Sequence, residues 1–204
     1  MPELQGRSDL DNRTLLASQR LWAPENTTHL NWLRSRGLSD KTITDAYLGY
    51  EPGAITIPYL NPPLHGGEPV TVRQIRRRNL SGVPKYETPK GGKPHVYNVV
   101  DTMANRVWVT EGEFDALILS QLGKAAVGIP GATLFQPQWK YLFVHCEHVS
   151  LVFDADDAGK GGGGRIASII GQIVEKLSII HLPPGKDVTD LFLEDPAHLK
   201  RLID

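Results

Sequence analysis

Acidic residues gather in three short segments of the second half of the chain. These are VTEGEFDAL with Glu111, VFDADDAGK with Asp154 and Asp156, and PPGKDVTD with Asp187 and Asp190. Each follows a run of β-branched and apolar residues of strand length: Arg106–Thr110, Val149–Asp154 and Ser178–Leu182. In an open parallel sheet the functional groups collect beyond the carboxyl ends of the strands, where all three acidic segments would then stand. Side chains alternate along extended chain, so Asp154 and Asp156 face the same way and are close enough to share or bridge a cation. Carboxylates that converge repel one another until a cation neutralises them. Hard oxygen donors in this number suit Mg2+ or Mn2+ rather than zinc. Taken singly, Glu113, Asp115 and Asp157 read at least as well as helix caps or solvated ends. Acids at three strand ends of one sheet are better explained by a shared cation.

The counter-charge lies elsewhere. The whole chain has a formal net charge of -1, yet Arg73, Arg76, Arg77, Arg78, Lys85, Lys90 and Lys93 face only Glu87 across one segment. A basic segment beside an acidic one suits a polyanion held against metal-binding carboxylates. The bland alternative for Arg76–Arg78 is a solvated strand edge. Gly159, Gly161 and Gly164 match GxGxxG between a strand and a helix, but Asp154, Asp156 and Asp157 would crowd a pyrophosphate there with like charge. A flexible turn is the better reading, with Lys160 and Arg165 placed to touch phosphate. Gly185-Lys186 is followed by Asp187, so no P-loop is present. Trp22, Trp32, Trp108 and Trp139 fall outside the basic segment and read as packing residues. Tyr86 is placed to stack on a base or simply to pack.

The positioning elements follow from periodicity. Residues 1–26 are polar, with little period, and read as a lead-in. Short helices are expected over Thr28–Arg36 and after Ser39, which serves as N-cap. Strands are expected at Ala54–Tyr59 and Val70–Arg76, and Arg77–Lys93 reads as loop. From Arg106 onward strands alternate with helices, the clearest helix being Arg165–Leu177 with its apolar stripe. The expected fold class is α/β: a Rossmann-like parallel sheet flanked by helices over 104–204, preceded by a mixed α+β basic subdomain over 27–103. With 40% hydrophobic and 22% charged residues in 204, the chain has an ordinary globular composition. Cys146 is the only cysteine, which excludes a cysteine-rich zinc site in this chain and fits a reducing compartment. No apolar run approaches about 18 residues and the N-terminus has no signal-peptide core. No membrane association is expected, and the cytoplasm is the expected location (that of the host, if the chain is phage-encoded).

EGEFDAL, DADDAG with Arg165 after it, and PGKDVTD resemble the three-part signature of Toprim domains. The resemblance implies Glu111, Asp154 and Asp156 as the catalytic, metal-binding set, with Asp187 contributing. Bacterial primases carry Asp-Pro-Asp at the last motif, where this chain has Asp187-Val188-Thr189-Asp190, which leaves the role of Asp190 open. The first half resembles bacterial and phage DNA primases in LNWLRSRGLSDKTITDAYLGYEPG, ITIPYLN, VTVRQIRRR, PKYETP and HVYN. That likeness implies synthesis of short RNA primers on a single-stranded DNA template from ribonucleoside triphosphates. Lys85 is the best-matched basic residue, and Arg73, Arg76, Arg77, Arg78 and Lys93 accompany it as polyanion contacts. A replicative helicase and a separate zinc-module protein are the implied partners. A Toprim nuclease, or an inactive nucleic-acid-binding relative, would share the acidic motifs.

Overall fold

The computed structural model describes residues 4, 8–61, 70–88, 91–153 and 162–204, which fall into two compact units, Met1–Lys93 and Pro94–Asp204. The division comes about ten residues earlier than the expected start of the second subdomain at 104.

The first unit begins with a helix where the sequence reads as a polar lead-in. Helix α1 (Asp9–Leu21) opens on a capping box in which Ser8 and Asp11 satisfy each other's backbone N–H groups. Its buried face consists of Asp11, Thr14, Ala17 and Leu21, while Leu16 is 59% exposed. Two polar residues on the inner face and an apolar one outside erase the hydrophobic period. Asp11 is tolerated there because its carboxylate accepts from Ser8 N at 3.0 Å and Val72 N at 2.7 Å. Helices α2 (Thr27–Ser35) and α3 (Asp40–Asp45) follow, α3 capped by Ser39 as expected.

Four antiparallel strands complete this unit in sequential order: β1 (Gly49–Glu51), β2 (Ala54–Asn61), β3 (Thr71–Asn79) and β4 (Tyr86–Glu87). Strand β3 runs through the three arginines to Asn79, and Tyr86-Glu87 pairs with it, in the segment expected to be loop. Pairing with β2 supplies what the sequence did not advertise there. Gly49 lets β1 lie against α1: a Cβ on it would stand 2.6 Å from the Ala17 carbonyl carbon.

One ion pair fixes α1 to the sheet. Arg13 donates to both Glu51 oxygens at 2.6 and 2.7 Å, and Arg77 Nε stands 3.5 Å from Glu51. The Arg13 hydrogen bonds hold the Glu51 carboxyl below the ordinary glutamate range. A depressed carboxyl adds stability above its unfolded-state pKa and loses it as pH falls through the folded value. Glu51→Gln should therefore cost about 1 kcal/mol at neutral pH. Urea melts of both proteins should converge once the medium is acidic enough to protonate Glu51. A gap that stays constant with pH would mean that packing, not charge, holds the helix.

The second unit is α/β. Strands β5 (Arg106–Thr110), β6 (Ala126–Gly128), β7 (His148–Phe153) and β8 (Lys176–His181) form a parallel sheet in the order β6-β5-β7-β8. Helices α4 (Glu113–Gln121), α5 (Gly162–Ile170), α6 (Val188–Glu194) and α7 (Pro196–Ile203) accompany it. Val107, Val109, Val127, Leu151 and Phe153 pack with Ile166 and Ile170 of α5 into one core. The helix expected to reach Leu177 stops at Ile170, and Leu177 lies in β8 opposite Val149. Ile173 and Leu177 pack against the same core as Ile166 and Ile170, so the apolar period continues through a turn into a strand. Among the described residues no helix is long and apolar enough to cross a membrane.

Candidate metal and nucleic-acid site

The sheet order gives the acidic motifs their place. From β5 the chain steps to β6 on one side and then returns to build β7 and β8 on the other. The gap between the ends of β5 and β7 is the topological switch point of the sheet, the position where open α/β sheets bind ligands. Thr110 pairs with Val152 and with Gly128, so Glu111 leaves β5 at the same edge at which Phe153 ends β7. Glu111 is partly buried there.

The turn that carries Glu111 is tightly seated. The Thr110 hydroxyl donates to the Gly112 carbonyl at 3.0 Å, with the Val127 carbonyl 3.3 Å away. On the neighbouring strand, a Cβ on Gly128 would meet Gly112 O at 2.7 Å and Gly112 C at 3.0 Å. Gly128 is itself held from outside: Tyr97 N donates to its carbonyl at 2.8 Å, and its own N–H donates to the Tyr97 carbonyl at 3.2 Å. Neither Gly128 nor Tyr97 stands out in the sequence as a site residue. The signal was a glycine inside the apolar run AAVGI, which marks a close backbone approach. Burial, with the Glu113 and Asp101 carboxylates nearby, drives the Tyr97 phenol far above its ordinary range and keeps it neutral.

The remaining acids separate by role. Glu113 is buried in the first turn of α4. Asp115 accepts from the Thr189 backbone N–H at 3.0 Å and the Thr189 hydroxyl at 2.7 Å, which ties α4 to the start of α6. Asp187 is the N-cap of α6, accepting from Asp190 N at 2.6 Å. One carboxylate oxygen of that expected ligand thus has a structural partner. Lys186 pairs with Glu194 rather than with either aspartate. Asp154, Asp156, Asp157, Gly159, Lys160 and Gly161 lie outside the described residues. Among the described residues no three His, Cys, Asp or Glu side chains stand together as a metal-binding group. Arg165 is exposed near the start of α5 and donates to the Phe135 carbonyl at 3.2 Å.

In the first unit, register sorts the basic segment by face. Tyr50 pairs with Ile55, Ile55 with Arg78, and Arg78 with Tyr86, so these four share one face of the sheet. Arg76, two residues from Arg78, joins them. Its guanidinium lies 4.3 Å from the Tyr86 ring, and that of Arg78 lies 5.1 Å from both Tyr86 and Trp32. Trp32 therefore belongs to the basic face despite its distance in sequence, and His29, one turn earlier on α2, stacks on Tyr50 at 4.0 Å. Arg77 points to the opposite face. It pairs with Glu87 at 2.8 Å, approaches Glu51 and donates to the Pro52 carbonyl at 3.1 Å. Arg73 is exposed and donates to Asn61 at 2.8 Å, while Lys85 and Lys93 are exposed. The expected basic run is thus two sets, with Arg77 built into the scaffold.

Residues 108–192, which carry the parallel sheet and the Glu111 turn at its switch point, match the Toprim-like family model. The Gene 57 protein of Mycobacterium phage D29 is 34% identical over 143 residues, which span 68% of this chain and 90% of the phage protein. The chain belongs to the family of that phage protein. Its fold is that of DnaG primase catalytic cores. A DNA primase domain from Pseudomonas aeruginosa superposes with a TM-score of 0.75 at 20% identity, covering 96% of this chain and 77% of that one. The RNA polymerase domain of Mycobacterium tuberculosis primase DnaG, solved with a double-stranded DNA oligomer bearing a 6-nucleotide overhang, gives 0.69 at 18% identity. That match covers 95% of this chain and 78% of the other.

Proposed function

We propose that the chain is a primase catalytic core, synthesising short RNA primers on single-stranded DNA by metal-dependent nucleotidyl transfer in the cytoplasm. The observation that carries this reading is a DnaG-core fold that places Glu111, on a turn locked by Thr110 and Gly128, at the switch point of its parallel sheet. The donor chemistry fits the hard divalent ion that such a reaction needs. Glu111 supplies a carboxylate at the edge where β7 ends at Phe153, and Asp154 and Asp156, which follow Phe153 in the sequence, are oxygen donors like it. Glu111, Asp154 and Asp156 would hold Mg2+ or Mn2+, with Asp187 contributing the oxygen its capping role leaves over. The ion supplies a lowered pKa for the attacking 3' hydroxyl and a clamp on the triphosphate.

The protein's own part is orientation and charge. Arg76, Arg78 and Lys85, with Arg73 and Lys93 nearby in sequence, hold template phosphates, and Lys160 and Arg165 reach nucleotide phosphate. The DNA oligomer in the tuberculosis domain supports a DNA-binding role for this fold. Helicase and zinc-module partners fit the same reading, since specific template capture needs more interface than a small core offers.

The direct test is incubation with single-stranded DNA, Mg2+ or Mn2+ and labelled ribonucleotides. Labelled oligomers support the proposal. Cut template would make the chain a Toprim nuclease, and binding alone would make it an inactive relative. Binding should also weaken steeply as salt rises. Lys85→Ala should reduce single-stranded DNA affinity about threefold to tenfold, and Lys200→Ala, an exposed lysine on α7, should not. Equal effects of the two would reduce the basic segment to a solvated face.

A further inference from the structure

The basic face of the first unit is lined by aromatic rings as well as cations, and the two alternate. Trp32 from α2 and Tyr86 from β4 each stand 5.1 Å from the Arg78 guanidinium, and Arg76 lies 4.3 Å over Tyr86. Lys85 lies 6.0 Å from the same ring. Two strands and a helix thus deliver Trp32, Arg78, Tyr86 and Arg76 to one surface, each partly exposed. A cation held over a ring has its plane set in advance. A purely phosphate-binding surface has no need of rings, since phosphate is recognised by charge and N–H donors. Rings interleaved with cations are the composition of surfaces that stack nucleobases while the backbone runs along the positive charge.

We infer that Trp32, with Tyr86 and Arg78, forms a base-stacking platform for single-stranded nucleic acid, with Trp32 the residue that contacts a base directly. This inference rests on the primase reading for the identity of the ligand and adds a contact to bases beside those to phosphates. The platform is sequence-tolerant, because every base presents a π-face. It requires an unpaired strand, since bases stacked within a duplex cannot be laid on a ring. The surface therefore selects single strands over duplex without reading their sequence, and it rests on residues far from Glu111 in the chain.

The test compares two probes of equal length and phosphate count: oligothymidylate and an oligomer of abasic residues. Trp32→Ala should weaken oligothymidylate binding about tenfold and leave the abasic oligomer unchanged. Trp32→Phe should restore most of the loss, whereas Trp32→Leu, which keeps an apolar side chain without a π-face, should not. Arg78→Ala should weaken both probes. Should Trp32→Ala melt early, photocrosslinking of a 5-iodouracil oligomer to the unaltered protein gives the same answer, with Trp32 or Tyr86 as the expected adduct. Equal losses on both probes, or crosslinks confined to other residues, overturn the platform and leave the phosphate-binding face standing. Absence of single-stranded DNA binding by the unaltered protein removes the primase reading and the platform together.

Discussion

Glu111→Gln and Asp154→Asn should each lower primer synthesis by about a thousandfold, with the thermal melt scarcely changed. The size follows from the chemistry assigned to these carboxylates. Neutralising a charged ligand removes several kcal/mol of stabilisation from the charge that develops at the transferring phosphoryl group, and each 1.4 kcal/mol is tenfold in rate. The fold survives because the Glu111 turn is held by other groups: the Thr110 hydroxyl, the Gly112 backbone against Gly128, and the paired backbone of Tyr97. Relieving repulsion between converging acids can even raise the melting temperature without metal. The measurement is incorporation of labelled ribonucleotide beside a melt with and without Mn2+. The loss of rate should accompany loss of the metal-dependent rise in melting temperature. Near-normal synthesis by Glu111→Gln would falsify the assignment. Asp187→Asn is the internal control: asparagine caps a helix as well as aspartate does, so the start of α6 stays intact and any fall reports the metal contribution alone.

Gly128→Ala is expected to damage the reaction from the adjacent strand, through position rather than charge. The new methyl group would stand 2.7 Å from the Gly112 carbonyl oxygen and 3.3 Å from Glu113 N, both backbone atoms that cannot swing away. Relief requires β6 and the Glu111 turn to separate, and Tyr97 resists from the other side of Gly128. Overpacking of this kind costs about 1–3 kcal/mol of stability. Displacing a reacting group by about 1 Å costs roughly a hundredfold in rate. The rate at saturating template should therefore collapse. Affinity for single-stranded DNA, assigned to the first unit by the proposed function, should stay within about twofold. A variant that melts normally and retains full synthesis would show that the turn tolerates the shift, and Gly128 would then be an ordinary strand glycine.

The sequence by itself placed Glu111 with respect to its strand. Apolar runs of strand length that end at Thr110 and Phe153 are local patterns, and a parallel α/β sheet turns such endings into one edge without further information. Ser39 as the cap of α3 and the α/β class were legible for the same reason: each depends on neighbours a few residues away. Helix α1 was hidden because its inner face holds Asp11 and Thr14, whose burial depends on hydrogen bonds to partners such as Val72 that no local window contains. The end of α5 was hidden because one core receives Ile166 and Ile170 from a helix and Leu177 from a strand. The periodicity recorded burial, not conformation.

The largest decisions were tertiary. Three consecutive arginines, Arg76, Arg77 and Arg78, give no indication of their faces until β3 pairs with β2 and β4. Register then sends Arg77 to Glu51 and Glu87 while Arg76 and Arg78 meet Tyr86. Trp32, more than 40 residues from Arg78, joins them only because α2 lies on that side of the sheet. Asp115 likewise has the look of a residue capping its own helix, yet its carboxylate serves Thr189, 74 residues away. Residue type limits the chemistry a side chain can perform; which neighbour it performs it on is set by pairing and packing between segments remote in the chain.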